Sequence, residues 1–148
     1  MKQKEQVNIY TDGACRGNPG KGGWGGILEY KNSIKEINGF HPQTTNNIME
    51  LTAVIESLKI LKRSCSIIIT TDSKYVKNGI TSWIYNWKKN GWKTANKKPV
   101  KNKDLWIVLD QEVSKHSIDW QWIKGHSGHA QNERADLLAN LAIDNQGE

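Results

Sequence analysis

The segment "SIIITTD" at 66–72 constrains the fold of this chain more than any other. A short, continuously apolar strand is typical of one buried on both faces in a parallel arrangement. The sheet it joins must therefore include a parallel part. The runs before it read differently: Val7 to Thr11, Trp24 to Tyr30 and Lys35 to Phe40 are β-type segments at hairpin spacing, which implies an antiparallel trio. Then "TTNNIMELTAVIESLKILKR" switches to helical period, with Leu51, Val54, Leu58 and Leu61 on one face and Thr52, Glu56, Lys59 and Arg63 opposite.

After the apolar strand the sequence predicts a helix from about Lys74 into a tryptophan-rich region, a basic segment, and a helix near Val100 to Lys115. A strand at Ile118 to Ile123, a loop "KGHSGHAQ" and a last helix from about Asn132 to Asp144 follow. The order βββαβααβα specifies an α/β fold, a mixed sheet with helices packed on it. At 148 residues, one domain spanning 1–148 is the expectation.

The fourteen residues after Asp12 contain seven glycines, and Gly20, Gly22 and Gly25 satisfy the G-x-G-x-x-G pattern of a phosphate-binding loop. The context contradicts that reading: Pro19 intervenes, β-type residues follow where a helix should open, and Lys21 is followed by Gly22 rather than Ser or Thr. The glycines are expected to form a flexible turn between two antiparallel strands.

A net charge of +6 and a pI near 9.3 point to a polyanionic partner. Seven lysines lie between Lys88 and Lys103 with no acidic residue before Asp104. Like-charge blocks are ordinarily just solvated, but Trp83, Trp87 and Trp92 lie in or beside this one. Lysines interleaved with aromatic rings suit a surface that packs on sugars or bases while neutralising phosphates, although core packing is expected for at least one of the three tryptophans. No apolar run is long enough to span a bilayer or to serve as a leader, and Cys15 and Cys65 fit neither a CxxC pair nor a zinc spacing. A soluble, reduced, cytoplasmic setting is expected.

Two strands end alike, in "YTDG" at Asp12 and "TTDS" at Asp72. Ligands of open α/β sheets gather outside the carboxyl ends of strands, so two aspartates there would converge. Asp72 or Ser73 would serve equally to cap the following helix, so Asp72 by itself is divided between capping and chemistry. Glu50, expected in the first turn of its helix, falls inside the apolar stripe, where a carboxylate is costly unless paired or holding a metal. Asp136, expected in the first turn of the last helix, sits off the stripe of Ala135, Leu138, Leu141 and Ala142, so periodicity does not bring it to the others. Converging carboxylates suit a hard cation such as magnesium. His126, on a glycine-flanked loop, has the pKa range of a proton shuttle, though a lone loop histidine is more often a bystander, and His41, His116 and His129 have weaker claims.

Taken together, "YTDGACRGNPG", "TTNNIMEL", "TTDSKYV", "WKKNGWKTANKKPVKN", "DLWIVLD" and "KGHSGHAQNERAD" resemble bacterial type 1 ribonuclease H in order and spacing over nearly the whole chain. The resemblance implies a five-stranded mixed sheet flanked by helices, and endonucleolytic hydrolysis of the RNA strand of RNA–DNA hybrids leaving 5′-phosphate and 3′-hydroxyl ends. It implies two Mg2+ ions held by Asp12, Glu50, Asp72 and Asp136, with Mn2+ able to substitute, and His126 assisting proton transfer or product departure. It also implies a basic protrusion at about 83–103 that grips the DNA strand through Lys88, Lys89, Lys97 and Lys98 with Trp87 and Trp92, Trp83 packing on deoxyribose. Cys15, Asn18, Asn46 and Asn47 would lie along the minor groove, Thr45 would meet a DNA phosphate, and Lys74 would touch substrate. Ile48 and Asn90 stand where some relatives carry arginine, and Lys74 where an amide is common, which leaves hybrid affinity open to different tuning. A monomer without an obligate protein partner or membrane contact is expected. The competing readings are a binding module that no longer cuts and a DNA recombination nuclease of the same fold; the intact carboxylate set opposes the first, and the lone domain with its hybrid-type protrusion the second.

Overall fold

The computed structural model describes residues 6–124 and 128–146. Strands β1 (Gln6–Arg16), β2 (Gly20–Tyr30) and β3 (Ser33–Thr44) form an antiparallel meander, followed by helix α1 (Asn46–Ile60) and strand β4 (Ser66–Thr71). Next, α2 (Lys74–Asn78) runs through a π-helical turn (Gly79–Trp83) into α3 (Ile84–Lys89), and the chain ends with α4 (Lys103–Val113), β5 (Ser117–Trp122) and α5 (Ala130–Asp144). The sheet order is β3-β2-β1-β4-β5, antiparallel through β3, β2 and β1 and parallel through β1, β4 and β5. The five-stranded mixed sheet with flanking helices is the fold that the sequence pattern predicts.

Alternation along β1 and β2 divides the core. Val7, Ile9 and Leu28 face one way, into a cluster with Leu51, Val54 and Leu58 of α1 and Trp106 and Leu109 of α4. Ile27 faces the other way, against Ala135 and Leu138 of α5, with Tyr10 beside them.

Four local expectations need correction. Of the seven glycines only Gly17, with φ 77°, lies in the turn: residues 17–19 alone separate β1 from β2, Gly13 lies in β1, and Gly20, Gly22, Gly23, Gly25 and Gly26 lie within β2. Their role is close approach. A Cβ at Gly23 would collide with the carbonyl oxygen of Ala139, and one at Gly25 with that of Ala135, both on α5. Secondly, β4 is not fully buried on both faces: Ile67, Ile69 and Thr71 are buried, whereas Ser66, Ile68 and Thr70 are half-buried. The reason is that α5 packs chiefly over β2 and β1 and leaves that face of β4 partly open. Thirdly, α1 begins at Asn46 after the Thr45 cap, so Glu50 opens the second turn rather than lying in the first. Fourthly, α5 begins at Ala130, two residues earlier than expected, which puts Asp136 in its second turn. No helix among the described residues is long and apolar enough to cross a membrane.

Candidate active site

Three features of the fold bring the four carboxylates together. The β1–β4 register pairs Tyr10 with Thr70, and carried two residues on it sets Asp12 opposite Asp72 just past the last parallel pair; β1 does not end at Asp12 as the sequence suggests but runs on to Arg16, held by its antiparallel pairing with β2. Gly13, next to Asp12, lies against the backbone nitrogen of Glu50, where a Cβ would intrude, and so α1 delivers Glu50 to the same place. Across β2, the residue paired with Asp12 is Gly25. Its bare Cα admits the Ala135 carbonyl, and the next residue of α5 is Asp136. The position of Asp136 thus depends on how closely α5 lies on the sheet, which helical periodicity does not report.

The electrostatics follow from this packing. Asp12 is only 8 % exposed. Burial, a hydrogen bond with Asp136 and the charges of Asp72 and Asp136 raise its pKa to about 8, against a lowering contribution from the Gly13 backbone. Burial, with Asp72 adding to it, raises Glu50 to about 7, opposed by a hydrogen bond from the Ser73 hydroxyl. Buried carboxylates that resist ionisation through mutual repulsion are held poorly by protein alone and well by a cation.

The donor set is acidic and all oxygen, which fits a hard divalent ion. Among the described residues no three His, Cys, Asp or Glu side chains form a group that could by itself hold a metal ion. Magnesium suits such a half-built site, because it keeps several of its waters and needs few protein carboxylates.

Around the carboxylates lies a set of polar side chains that motif reading assigned elsewhere or missed. Ser73 caps α2, accepting from the Val76 amide at 3.1 Å, while its hydroxyl donates to Glu50. Capping therefore falls to Ser73 and not to Asp72. Asn46 Nδ2 donates to Glu50 Oε1 at 3.1 Å, and its backbone N–H donates to Asn18 Oδ1 at 3.1 Å. The β1–β2 turn is thereby tied through α1 to a carboxylate. Asn140 Nδ2 donates to Asp136 Oδ1 at 3.3 Å and to the Asp136 carbonyl at 3.0 Å. Its i,i+4 spacing from Asp136 was a readable signal.

The other candidates are arranged as follows. Cys15 is half-buried at the end of β1, with Sγ 3.4 Å from the Thr44 carbonyl oxygen. The Thr45 hydroxyl accepts from the Ile48 amide at 3.2 Å, and Asn47 is half-buried in the first turn of α1. Lys74 is exposed at the start of α2. Tyr75, Trp83, Trp87 and Trp92 form a chain of ring contacts, with centroids 5.8, 5.8 and 6.3 Å apart. Trp83 is 38 % exposed, whereas Trp87 and Trp92 are half-buried against the main core. Lys88 pairs with Asp110 of α4 at 3.3 Å, while Lys89, Lys97 and Lys98 are exposed. The basic segment folds back on itself through a Lys93–Pro99 bridge and a hydrogen bond from Val100 to Trp92. Its base is fixed by Tyr75, whose hydroxyl accepts from Asn102 Nδ2 and from Trp106 Nε1, each at 3.0 Å. His126 lies outside the described residues.

The RNase H family model matches residues 4–144. A ribonuclease H of Hydrogenovibrio crunogenus is 61 % identical over 140 residues, covering 95 % of this chain and 97 % of its own. Among solved structures, LC9-RNase H1, a type 1 RNase H with the type 2 active-site motif, superposes with a TM-score of 0.88 at 34 % identity, covering 99 % of this chain and 75 % of that one. LC11-RNase H1, solved in complex with an RNA/DNA hybrid, superposes with a TM-score of 0.64 at 26 % identity, covering 93 % of this chain and 96 % of that one. Likeness in sequence and in structure runs along nearly the full length, and the chain belongs to the RNase H family.

Proposed function

We propose that this protein is an endonuclease that hydrolyses the RNA strand of RNA–DNA hybrids with divalent metal ions, leaving 5′-phosphate and 3′-hydroxyl ends. The observation that carries the reading is the convergence of Asp12 and Asp72 with Glu50 and Asp136 just past the parallel pairing of β1 with β4. Family membership and the names of the relatives support it. In this reading Asp12, Glu50, Asp72 and Asp136 hold two Mg2+ ions, which Mn2+ can replace. When bound, such ions generate a nucleophile from water and offset charge on the reacting phosphate.

The chain's own residues do the rest. Ionised Asp12 and Glu50 orient the site, Ser73 and Asn46 hold Glu50 in place, and Asn140 holds Asp136. His126 moves a proton or eases product departure. Cys15, Asn18, Asn46 and Asn47 lie along the minor groove, Thr45 meets a DNA phosphate, and Trp83 packs on deoxyribose. Lys88, Lys89, Lys97 and Lys98, with Trp87 and Trp92 supporting them, grip the DNA strand from a protrusion at 83–103. An A-like hybrid displays 2′-hydroxyls in a wide minor groove, so asking for these on one strand and deoxyribose on the other rejects both pure duplexes. The chain acts as one catalytic domain, a monomer in the cytoplasm.

Asp12→Asn tests the reading. Turnover should fall by at least about a thousandfold, the order of effect of removing a principal electrostatic group from a catalytic site. Hybrid binding should remain, and near-normal magnesium-dependent cleavage by the variant would remove Asp12 from the mechanism.

A further inference from the structure

The carboxylates occupy the crevice beyond one parallel pair, β1 and β4. β4 has a second parallel neighbour, β5, and beyond their carboxyl ends lies a cavity of about 230 Å³ lined by Asp72, Lys74, Lys77, Trp122 and Lys124 among others. Open sheets bind ligands beyond such strand pairs. The two crevices share Asp72 and are offset by one strand, about 4.8 Å, the scale of a single nucleotide step.

The second crevice differs in charge from the first. Lys74 and Lys77 stand three residues apart on one face of the helical run, and Lys124 follows β5. Three ammonium groups face one carboxylate there. All three lysines are exposed, and none is held in an ion pair among the described residues. Trp122, stacked on Trp120 at 5.2 Å with ring planes 6° apart, forms a wall. Lysines of this kind recognise phosphate as point charges, without selecting base or sugar.

We propose that this crevice takes the backbone phosphate adjacent to the scissile one on the RNA strand, held by Lys74, Lys77 and Lys124. The inference rests on the hybrid-cleaving reading above. The strand assignment follows from position, since a crevice that shares Asp72 with the cutting site meets the strand being cut. The site aligns that strand across Asp72 and makes linkages lacking the adjacent phosphate poor substrates.

The test uses a hybrid in which a short ribonucleotide tract fixes the place of cutting. A neutral methylphosphonate is placed at each linkage flanking the cut in turn, and binding is measured in EDTA for the wild-type protein and for Lys77→Ala/Lys124→Ala. At one flanking position the neutral linkage should weaken binding by the wild-type protein and add nothing in the double variant. On unmodified hybrid, the double variant should show a slope of log affinity against log salt shallower by about 1, since one phosphate fewer is neutralised. An equal penalty in both proteins at both positions, or an unchanged salt slope, overturns the proposal. Failure of the wild-type protein to cut the unmodified hybrid in magnesium would instead count against the function itself. Thermal unfolding of the double variant should match the wild type, because both side chains are exposed.

Discussion

At the scale of single residues, the acid groups at the site work against the fold when no cation is present. Asp12 has a folded pKa of about 8 against an ordinary 3.8, and Glu50 about 7 against 4.5. Between those values the folded state binds more protons than the unfolded one, so stability is highest at low pH and falls as pH rises through the window. Metal-free protein should therefore melt at a progressively lower temperature from about pH 5 to about pH 8, and magnesium should raise the melting temperature more at the upper end. Equal stabilisation by magnesium at both ends would contradict this account of Asp12 and Glu50. Ser73→Ala should destabilise by about 1 kcal/mol because the cap is removed. It should also raise the magnesium concentration needed for half-maximal cleavage, because Glu50 loses its hydroxyl donor; an unchanged magnesium requirement would leave Ser73 with capping alone. Asp72 was legible in the sequence as a strand-terminal acid and Glu50 as an acid inside an apolar stripe; Asp12 was legible as an acid at an expected strand end, although β1 runs on to Arg16 and only its parallel pairing with β4 stops short of Asp12. Asp136 was legible only through family resemblance, because its hydrogen bond with Asp12 is set by the height of α5 above the sheet.

At the scale of elements, the glycines of β2 are the main point at which local pattern misleads. Glycine is common in turns, yet here bare Cα positions form a track on which α5 lies directly against the strand. Local propensity cannot show this, because the helix that needs the space is more than a hundred residues away in the chain. Gly25→Ala should cost about 1–3 kcal/mol from overpacking, measured by denaturant unfolding. It should also lower kcat by displacing Asp136, and a variant of normal stability and activity would remove the track from the account. The two-sided burial expected of β4 failed for a related reason, since apolar composition does not specify which strands a helix will cover. In the basic segment, replacing Lys89, Lys97 and Lys98 by Ala should weaken hybrid binding and lower the salt slope by about 1 for each phosphate left without its lysine. An unaltered slope would mean that this segment does not face the substrate. The hydroxyl of Tyr75 ties this segment to α4, so its removal in Tyr75→Phe would leave two donors, on Asn102 and Trp106, in search of an acceptor.

At the scale of the whole molecule, the sheet explains why chemistry concentrates at one end. Antiparallel strands β3, β2 and β1 supply the glycine track, and the parallel strands β4 and β5 supply neighbouring crevices at their carboxyl ends. One helix on each face brings a carboxylate to that end, Glu50 from α1 and Asp136 from α5. Positive charge lies outside this acidic centre, in the basic segment and around the β4–β5 crevice, which suits a polyanion cut at the middle and held at its flanks. The central claim is that this arrangement cuts RNA only where it is paired with DNA. The most direct measurement is cleavage of an end-labelled RNA strand annealed to DNA, beside an RNA duplex and a DNA duplex, each in magnesium and in EDTA. The account predicts magnesium-dependent cutting of the RNA in the hybrid alone; tight hybrid binding without cutting, or cutting of the DNA duplex, would contradict it.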